Sequence, residues 1–185
     1  MRRSLMTAVM ATALFAVPTF AALPDGTKAP DFTTEASLAG KAFQFSLAKA
    51  LKKGPVVLYF YPAAFTKGCT IEAHAFADAM DQFQKMHATV IGVSHDDIAT
   101  LDKFSVSECR SKFPVAADPQ LTVAKAYDAV LPQMPTLANR TSYVIAPDGT
   151  ILSAMTDLTH PEQHVKNALS VVANYEKTHP KQRVL

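Results

Sequence analysis

The feature that most limits the fold of this chain is the run PVVLYFYP at residues 55–62. It is rich in β-branched and aromatic side chains and is bounded by Gly54 and Pro62. A short unbroken apolar run is typical of a strand buried on both faces, as in a parallel sheet covered by helices. Residues 70–87 follow closely, and their apolar side chains recur at helical spacing. The pattern therefore predicts a buried strand followed by a helix that packs on its sheet.

The rest of the chain continues this alternation. Further elements are predicted at residues 88–94 (strand), 98–109 (helix), 113–119 (strand and turn), 121–130 (short helix), 141–155 (hairpin) and 161–175 (helix). Parallel strands joined by helices, followed by an antiparallel hairpin, predict an α/β fold of one domain. We expect a central mixed β-sheet flanked by helices, in a thioredoxin-like arrangement.

The first 22 residues have the layout of a cleaved secretory signal peptide, which leaves residues 23–185 as the domain. Two arginines precede an apolar run at residues 5–20, and Ala21 and Ala22 follow it. The run is short for a bilayer span of roughly 20 residues, which disfavours an uncleaved anchor. Cleavage leaves 16 basic and 16 acidic residues, so no basic surplus remains to attract nucleic acid or a membrane surface. The expected location is periplasmic or secreted.

The chain has two cysteines, Cys69 and Cys109. Two cysteines in an exported protein most often form a structural disulfide, so a non-catalytic domain with a Cys69–Cys109 bridge is one hypothesis. The position of Cys69 favours another. It lies in the first turn of the predicted helix, directly after the buried strand, and a helix N-terminus favours the thiolate form in which a cysteine reacts.

The neighbours of Cys69 fit a reactive thiol, although each also has an ordinary structural role. Thr66 lies three residues earlier, where its hydroxyl can cap the helix or face an oxygen beside the sulfur. Gly68 allows close approach of the backbone, and Pro62 ends the strand. Together these residues form the pattern P-x-x-x-T-x-x-C.

With this pattern the chain resembles the peroxiredoxins, in particular the Q-type or bacterioferritin-comigratory group. The similarity extends from about Leu23 to Tyr175 and includes APDF (29–32), ATVIGVSHDD (88–97) and RTSYVIAPDG (140–149). The resemblance implies a thiol-dependent peroxidase that reduces hydrogen peroxide and organic hydroperoxides. It also implies that no metal, haem, flavin or selenium is needed, and that a thioredoxin-like or small-thiol reductant recycles a monomeric enzyme.

The resemblance assigns a role to each matching residue. Cys69 corresponds to the peroxidatic cysteine, whose thiolate attacks a peroxide oxygen and becomes a sulfenic acid. Thr66 corresponds to the residue that orients the peroxide, and Pro62 to the residue that shields the site from water. Arg140 corresponds to the arginine that polarises the peroxide and holds the thiolate, and Glu72 to the acid that orients this arginine.

Cys109 corresponds to a resolving cysteine, which would convert the sulfenic acid into an intramolecular disulfide. Some Q-type members carry this cysteine five residues after the first, where this chain has His74. Others carry it on the next helix, and Cys109 lies about one turn beyond the commonest position there. The alternative is a buried core thiol in a one-cysteine peroxidase that glutathione or another chain resolves.

The histidines and the missing C-x-x-C motif carry weaker information. His160 and His164 have the spacing of a metal pair, but His160 precedes Pro161 and no cysteine or carboxylate cluster completes a site. His95 is expected to be a loop residue. The absence of C-x-x-C from the sequence disfavours a thioredoxin or a disulfide isomerase.

Overall fold

A mixed seven-stranded sheet lies at the centre of the computed structural model, which describes residues 22–180. The strands are β1 (Thr33–Leu38), β2 (Lys41–Ser46), β3 (Val56–Phe60), β4 (Thr89–Ser94), β5 (Val115–Ala117), β6 (Thr141–Ile145) and β7 (Ile151–Thr156). The helices are α1 (Leu47–Leu51), α2 (Lys67–Lys85), α3 (Ile98–Ser107), α4 (Thr122–Ala126) and α5 (Pro161–Thr178). The strand order is β2-β1-β5-β4-β3-β6-β7. The predicted α/β fold with a mixed sheet is confirmed.

Strand β3 is buried along its whole length because both faces of the sheet are covered. Val57 and Tyr59 point into a core shared with α2, α3 and α5. Leu58 and Phe60 point into a second core on the opposite face, shared with α1 and α4. Each fully buried side chain of this size contributes about 1.5–3 kcal/mol to folding. This two-sided burial explains why the run has no polar alternation.

The directions of three strands bring the start of α2 and the start of β6 together. β3 and β4 are parallel, so both end at the same edge of the sheet, where α2 begins. β6 is antiparallel to β3, and its first residue, Thr141, pairs with Phe60, the last residue of β3. Arg140 therefore lies beside the first turn of α2, although it is distant in sequence.

The N-terminal part of the sheet differs from the prediction. The β1–β2 hairpin and the short helix α1 carry no apolar run, and β2 buries only Phe45. They form because β1 pairs with β5 and extends the sheet. Two smaller differences concern α5, which extends to Thr178, and β4, which begins at Thr89.

The end of α3 is a second correction, and it changes the position of Cys109. The helix was expected to run to Cys109 but ends at Ser107. Cys109 follows in a turn, where its N–H donates to the carbonyl of Phe104 at 3.1 Å. Arg110 and Ser111 then adopt φ of 52° and 57°, the left-handed region that non-glycine residues rarely occupy and that cannot continue a helix.

No helix within residues 22–180 has both the length and the apolar character that crossing a bilayer requires. The predicted signal peptide lies outside the described residues, apart from Ala22. Its cleavage stays a prediction.

Candidate active site

Cys69 occupies the third position of α2 and is 1% exposed. Thr66 is the N-cap residue by position, yet its side chain makes no capping hydrogen bond to the first turn. The first N–H groups of a helix point toward its N-terminus and favour a negative charge there. The sequence prediction that Cys69 lies in the first turn of a helix directly after a buried strand is confirmed.

The guanidinium of Arg140 contacts three partners, two on α2 and one in the segment after β7. Its Nη2 donates to the Sγ of Cys69 at 3.6 Å, and its Nη1 donates to the Oε2 of Glu72. Its Nε donates to the carbonyl of Leu158 at 3.2 Å. The planar guanidinium makes such multiple contacts in one fixed orientation. The structure thus brings together three of the predicted residues, Cys69, Glu72 and Arg140.

The Glu72–Arg140 pair is buried, with side chains 0% and 4% exposed. Burial raises the pKa of Glu72 above its ordinary value, and the charge and hydrogen bond of Arg140 oppose this shift. Burial acts to lower the pKa of Arg140, but the charges of Glu72 and Cys69 outweigh it and raise that pKa. The guanidinium keeps its proton. A fixed positive charge therefore lies against the sulfur in a poorly hydrated site.

The loop between β3 and α2 is fixed to the end of β4. The N–H of Ala64 donates to the Oδ2 of Asp96 at 2.7 Å, and the Nδ1 of His95 lies 2.8 Å from the carbonyl of Pro62. The carbonyl can only accept, so Nδ1 carries the proton. His95 and Asp96 are positioning residues that the sequence analysis missed. The only signal for them was their place at the end of a parallel strand.

Thr66 is exposed, and its hydroxyl donates to the carbonyl of Ala63 at 2.9 Å rather than to the helix. The hydroxyl proton is therefore engaged by the Ala63 carbonyl, and the lone pairs of Oγ1 are what the hydroxyl can offer to another molecule. Oγ1 can accept the O–H of a small molecule near the helix N-terminus. Of the two predicted roles for this hydroxyl, the capping role is wrong.

Gly68 is required by the position of Arg140. A Cβ atom on Gly68 would lie 2.9 Å from the Nη2 of Arg140, closer than carbon atoms approach a neighbour without displacing it. The guanidinium cannot yield freely, because its other two nitrogens are held by Glu72 and Leu158.

We expect Gly68→Ala to move Nη2 away from Cys69 and to slow any reaction of the thiolate by about tenfold, since misplacement by 1 Å can cost far more. The alkylation rate of Cys69 against pH measures this. Gly149→Ala is the matched control, because a Cβ there has nothing within 4 Å and its φ of 83° adds backbone strain only. Equal effects of both variants would contradict the prediction.

Cys109 is a buried free thiol, 0% exposed, in the same hydrophobic core as Cys69. Cys69 is also free, so the bridge required by a permanent structural disulfide is not formed. Burial raises the pKa of Cys109 well above the ordinary range of a thiol, and the nearby carboxylate of Glu108 adds to this. Cys109 in this position is therefore a neutral thiol.

The two histidines with metal-pair spacing lie in different surroundings. His164 is buried and bonded through both ring nitrogens, whereas His160 is exposed beside Asp157. Within residues 22–180 no cluster of three or more histidine, cysteine or acidic residues could hold a metal ion. His164 has another role that its spacing did not reveal, because its partners are Ser142 and a backbone carbonyl.

The chain is similar to known proteins along most of its length. The AhpC/TSA family profile matches residues 26–154. Peroxiredoxin Q, chloroplastic, from Oryza sativa subsp. japonica is 35% identical over 147 residues, which are 80% of this chain and 65% of that protein. The protein of the same name from Triticum aestivum is 36% identical over 149 residues, 80% of this chain and 66% of that protein. The similarity spans less than two thirds of each plant protein.

Solved structures show the same fold. The crystal structure of Peroxidoxin BcpB from Mycobacterium tuberculosis has a TM-score of 0.73 and 31% identity, and covers 81% of this chain and 96% of that one. The reduced 2-Cys peroxiredoxin of Plasmodium vivax has a TM-score of 0.74 at 23% identity, and covers 89% of this chain and 86% of that one. The predicted single-domain thioredoxin-like fold is confirmed.

Proposed function

Because this chain belongs to the AhpC/TSA family and is a peroxiredoxin, we propose that it reduces hydrogen peroxide and organic hydroperoxides at Cys69. The observation that carries the proposal is the contact of the buried Arg140 guanidinium with the Cys69 sulfur, 3.6 Å from Nη2 to Sγ, in the first turn of α2. Preplaced positive charge beside a nucleophile and a leaving oxygen is the largest contribution that a site of this kind makes to catalysis.

In the proposed reaction the Cys69 thiolate attacks one peroxide oxygen and the O–O bond breaks. The sulfur becomes a sulfenic acid, and the departing oxygen takes a proton to leave as water or an alcohol. Arg140 stabilises the charge on sulfur and on the departing oxygen, while Glu72 holds the guanidinium in place. Oγ1 of Thr66 accepts the peroxide O–H, and Pro62 limits the access of water.

We further propose that Cys109 resolves the sulfenic acid by forming an intramolecular disulfide with Cys69. Its thiol attacks the sulfenic sulfur and water is released. Because Cys109 is buried and neutral, we expect the turn around it to open before its sulfur ionises and reaches Cys69. A thioredoxin-like protein or a small thiol then reduces the disulfide.

Two side-chain contacts join the Cys109 turn to α2. The Nε2 of His74 lies 2.8 Å from the Oε2 of Glu108, and the Nη1 of Arg110 lies 2.5 Å from the Oδ1 of Asp78. These pairs flank Cys109 on both sides. Partly exposed pairs contribute up to about 1 kcal/mol each, so they slow the opening of the turn by a modest factor without preventing it.

The test of the proposed function is a titration with one equivalent of hydrogen peroxide, followed by intact mass and thiol count. We expect both thiols to disappear, a monomer two hydrogens lighter and no dimer on non-reducing gels, since tethering gives Cys109 a high effective concentration. Cys109→Ser should instead accumulate sulfenic and then sulfinic acid on Cys69.

Two outcomes distinguish the competing hypotheses. Peroxide loss at the rate of buffer alone, with a melting temperature several degrees lower after reduction, would support the non-catalytic domain with a structural disulfide. Turnover by Cys109→Ser as fast as that of the wild type, with the same reductant, would indicate a one-cysteine peroxidase in which Cys109 is a core thiol.

We also propose that the protein acts in the periplasm or outside the cell, after removal of residues 1–22. The basic start, the apolar run and the small residues that follow support this. The name "chloroplastic" describes the plant relatives only. Intact mass of the protein from its native host tests the proposal, and a mass that includes residues 1–21 would refute it. The monomeric state and the absence of stable membrane association stay predictions.

A further inference from the structure

His164 on α5 is a buried histidine that uses both of its ring nitrogens. Its Nε2 lies 2.9 Å from the carbonyl of Asp157, and its Nδ1 lies 2.8 Å from the Oγ of Ser142. The carbonyl can only accept, so Nε2 carries the proton and Nδ1 accepts from the serine hydroxyl. Burial lowers the pKa of His164, and the charge of Arg140 lowers it further, so the ring is neutral.

The carbonyl that His164 binds belongs to the segment that holds Arg140. The N–H of Asp157 donates to the carbonyl of Arg140 at 3.2 Å, and the carbonyl of the next residue, Leu158, accepts from the Nε of Arg140 at 3.2 Å. Ser142 lies two residues after Arg140 on β6. The backbone of β6 and these hydrogen bonds therefore form a closed ring. From Arg140 the ring follows β6 to Ser142 and crosses to His164. It then continues to residues 157–158 and returns to Arg140.

This ring determines where the guanidinium can lie. Of its three nitrogens, one binds Glu72 and one binds Leu158, and the third then faces Cys69. Leu158 itself is 45% exposed, so packing of its side chain does not fix its carbonyl. The buried bond from His164 to the neighbouring carbonyl ties the segment to the core, in addition to the bond from the Asp157 N–H to the Arg140 carbonyl.

We propose that His164 is a positioning residue that aligns Arg140 with Cys69 through the Asp157–Leu158 peptide. The inference rests on the proposed function only in taking Cys69 as the reacting thiol. Any buried imidazole needs its ring nitrogens hydrogen-bonded, but a role in packing alone would not need those partners to lie on both sides of Arg140. Positioning needs both, because a reacting group has to be held within about 0.5 Å.

The test is the pH dependence of iodoacetamide alkylation of Cys69, measured without peroxide in the Cys109→Ser background. Two amide variants form a matched pair. His164→Gln can place its N–H₂ where Nε2 lies and keep the bond to Asp157, whereas His164→Asn reaches only the Nδ1 position. We expect the asparagine variant to be alkylated about tenfold more slowly on the acidic side of the titration, equivalent to a one-unit shift of the curve, and the glutamine variant to stay within about threefold of the background protein.

Val165→Ala is the control for a merely structural effect. Val165 is the next residue of α5 and is buried in the hydrophobic core, and its apolar side chain takes no part in the ring of hydrogen bonds. It should lower the melting temperature without moving the alkylation curve. A shift as large as that of His164→Asn, or equal curves for the asparagine and glutamine variants, would overturn the proposal.

Ser142→Ala is the alternative test if the His164 variants do not fold. It removes only the hydroxyl that bonds to Nδ1 of His164. We expect alkylation of Cys69 to slow about threefold on the acidic side of the titration, and an unchanged curve would overturn the proposal. Because the assay uses no peroxide, its result is separate from the proposed function. A protein that consumes no peroxide can still show the His164 effect, and an active peroxidase can lack it.

Discussion

Replacing Cys69 by serine is expected to reduce peroxide consumption to the rate of buffer alone. A serine hydroxyl keeps its proton near neutral pH, and even the positive charge of Arg140 at 3.6 Å from the sulfur position does not make it a nucleophile comparable to a thiolate. No other group in the proposed reaction attacks the peroxide. The initial rate of peroxide loss, with reductant present, measures the effect.

The matched control is Cys109→Ser, which makes the same atomic change at the other cysteine. It should retain the first turnover, seen as the loss of one equivalent of peroxide in a single rapid phase, and lose efficient recycling. Activity of Cys69→Ser above the buffer rate would contradict the assignment of Cys69 as the reacting thiol. A first turnover that disappears in both variants would show that the substitutions act through folding.

Arg140→Met is expected to slow the first turnover by about 100- to 1,000-fold and to lower the free energy of unfolding by about 3–5 kcal/mol. The rate falls because a preplaced donor to the sulfur and the departing oxygen is lost. The stability falls because the carboxyl of Glu72, 0% exposed, loses the partner that offsets its burial and must either stay charged without compensation or take up a proton. Stopped-flow measurement and denaturant unfolding give the two quantities separately.

The double variant Arg140→Met, Glu72→Met separates these two effects. Replacing a buried ion pair by apolar side chains of similar size is often neutral for stability, so unfolding should return toward that of the wild type. The first turnover should stay slow, since the guanidinium is still absent. Recovery of the rate together with the stability would mean that Arg140 acts only by supporting the fold. The first turnover of Arg140→Lys should be slower than that of the wild type and faster than that of Arg140→Met, because an ammonium keeps the charge but cannot face three partners in one plane.

The parts of the fold that follow from local patterns were predictable, and those that depend on pairing with distant strands were not. The apolar run of β3 and the helical spacing in α2 are visible because burial is strong on both faces of the sheet. In β2 four of the six residues are exposed, one is half-buried and only Phe45 is buried, so no apolar pattern marks the strand. It exists because β1 can pair with β5.

The residues of the candidate site likewise divide into those that could be predicted from the sequence and those that could not. Cys69 was predicted from its place after a buried strand, Glu72 and Arg140 were predicted through a family resemblance, and the structure brings the three into contact. Residues that act through the backbone were not predictable, since His164 binds a carbonyl and no side-chain pattern encodes a carbonyl. The predicted end of α3 was wrong by two residues, since the helix ends at Ser107 and not at Cys109, and no residue pattern marked the left-handed turn that follows.

The contact between Cys69 and Arg140 joins residues that are 71 positions apart. Both thiols precede the arginine in the chain, and the arginine reaches the sulfur only when β6 has paired with β3. A chain in which these two strands have not paired thus has its cysteines without the guanidinium that we propose activates Cys69. On the proposed function, the full reactivity of Cys69 toward peroxide therefore appears only after β6 has paired with β3.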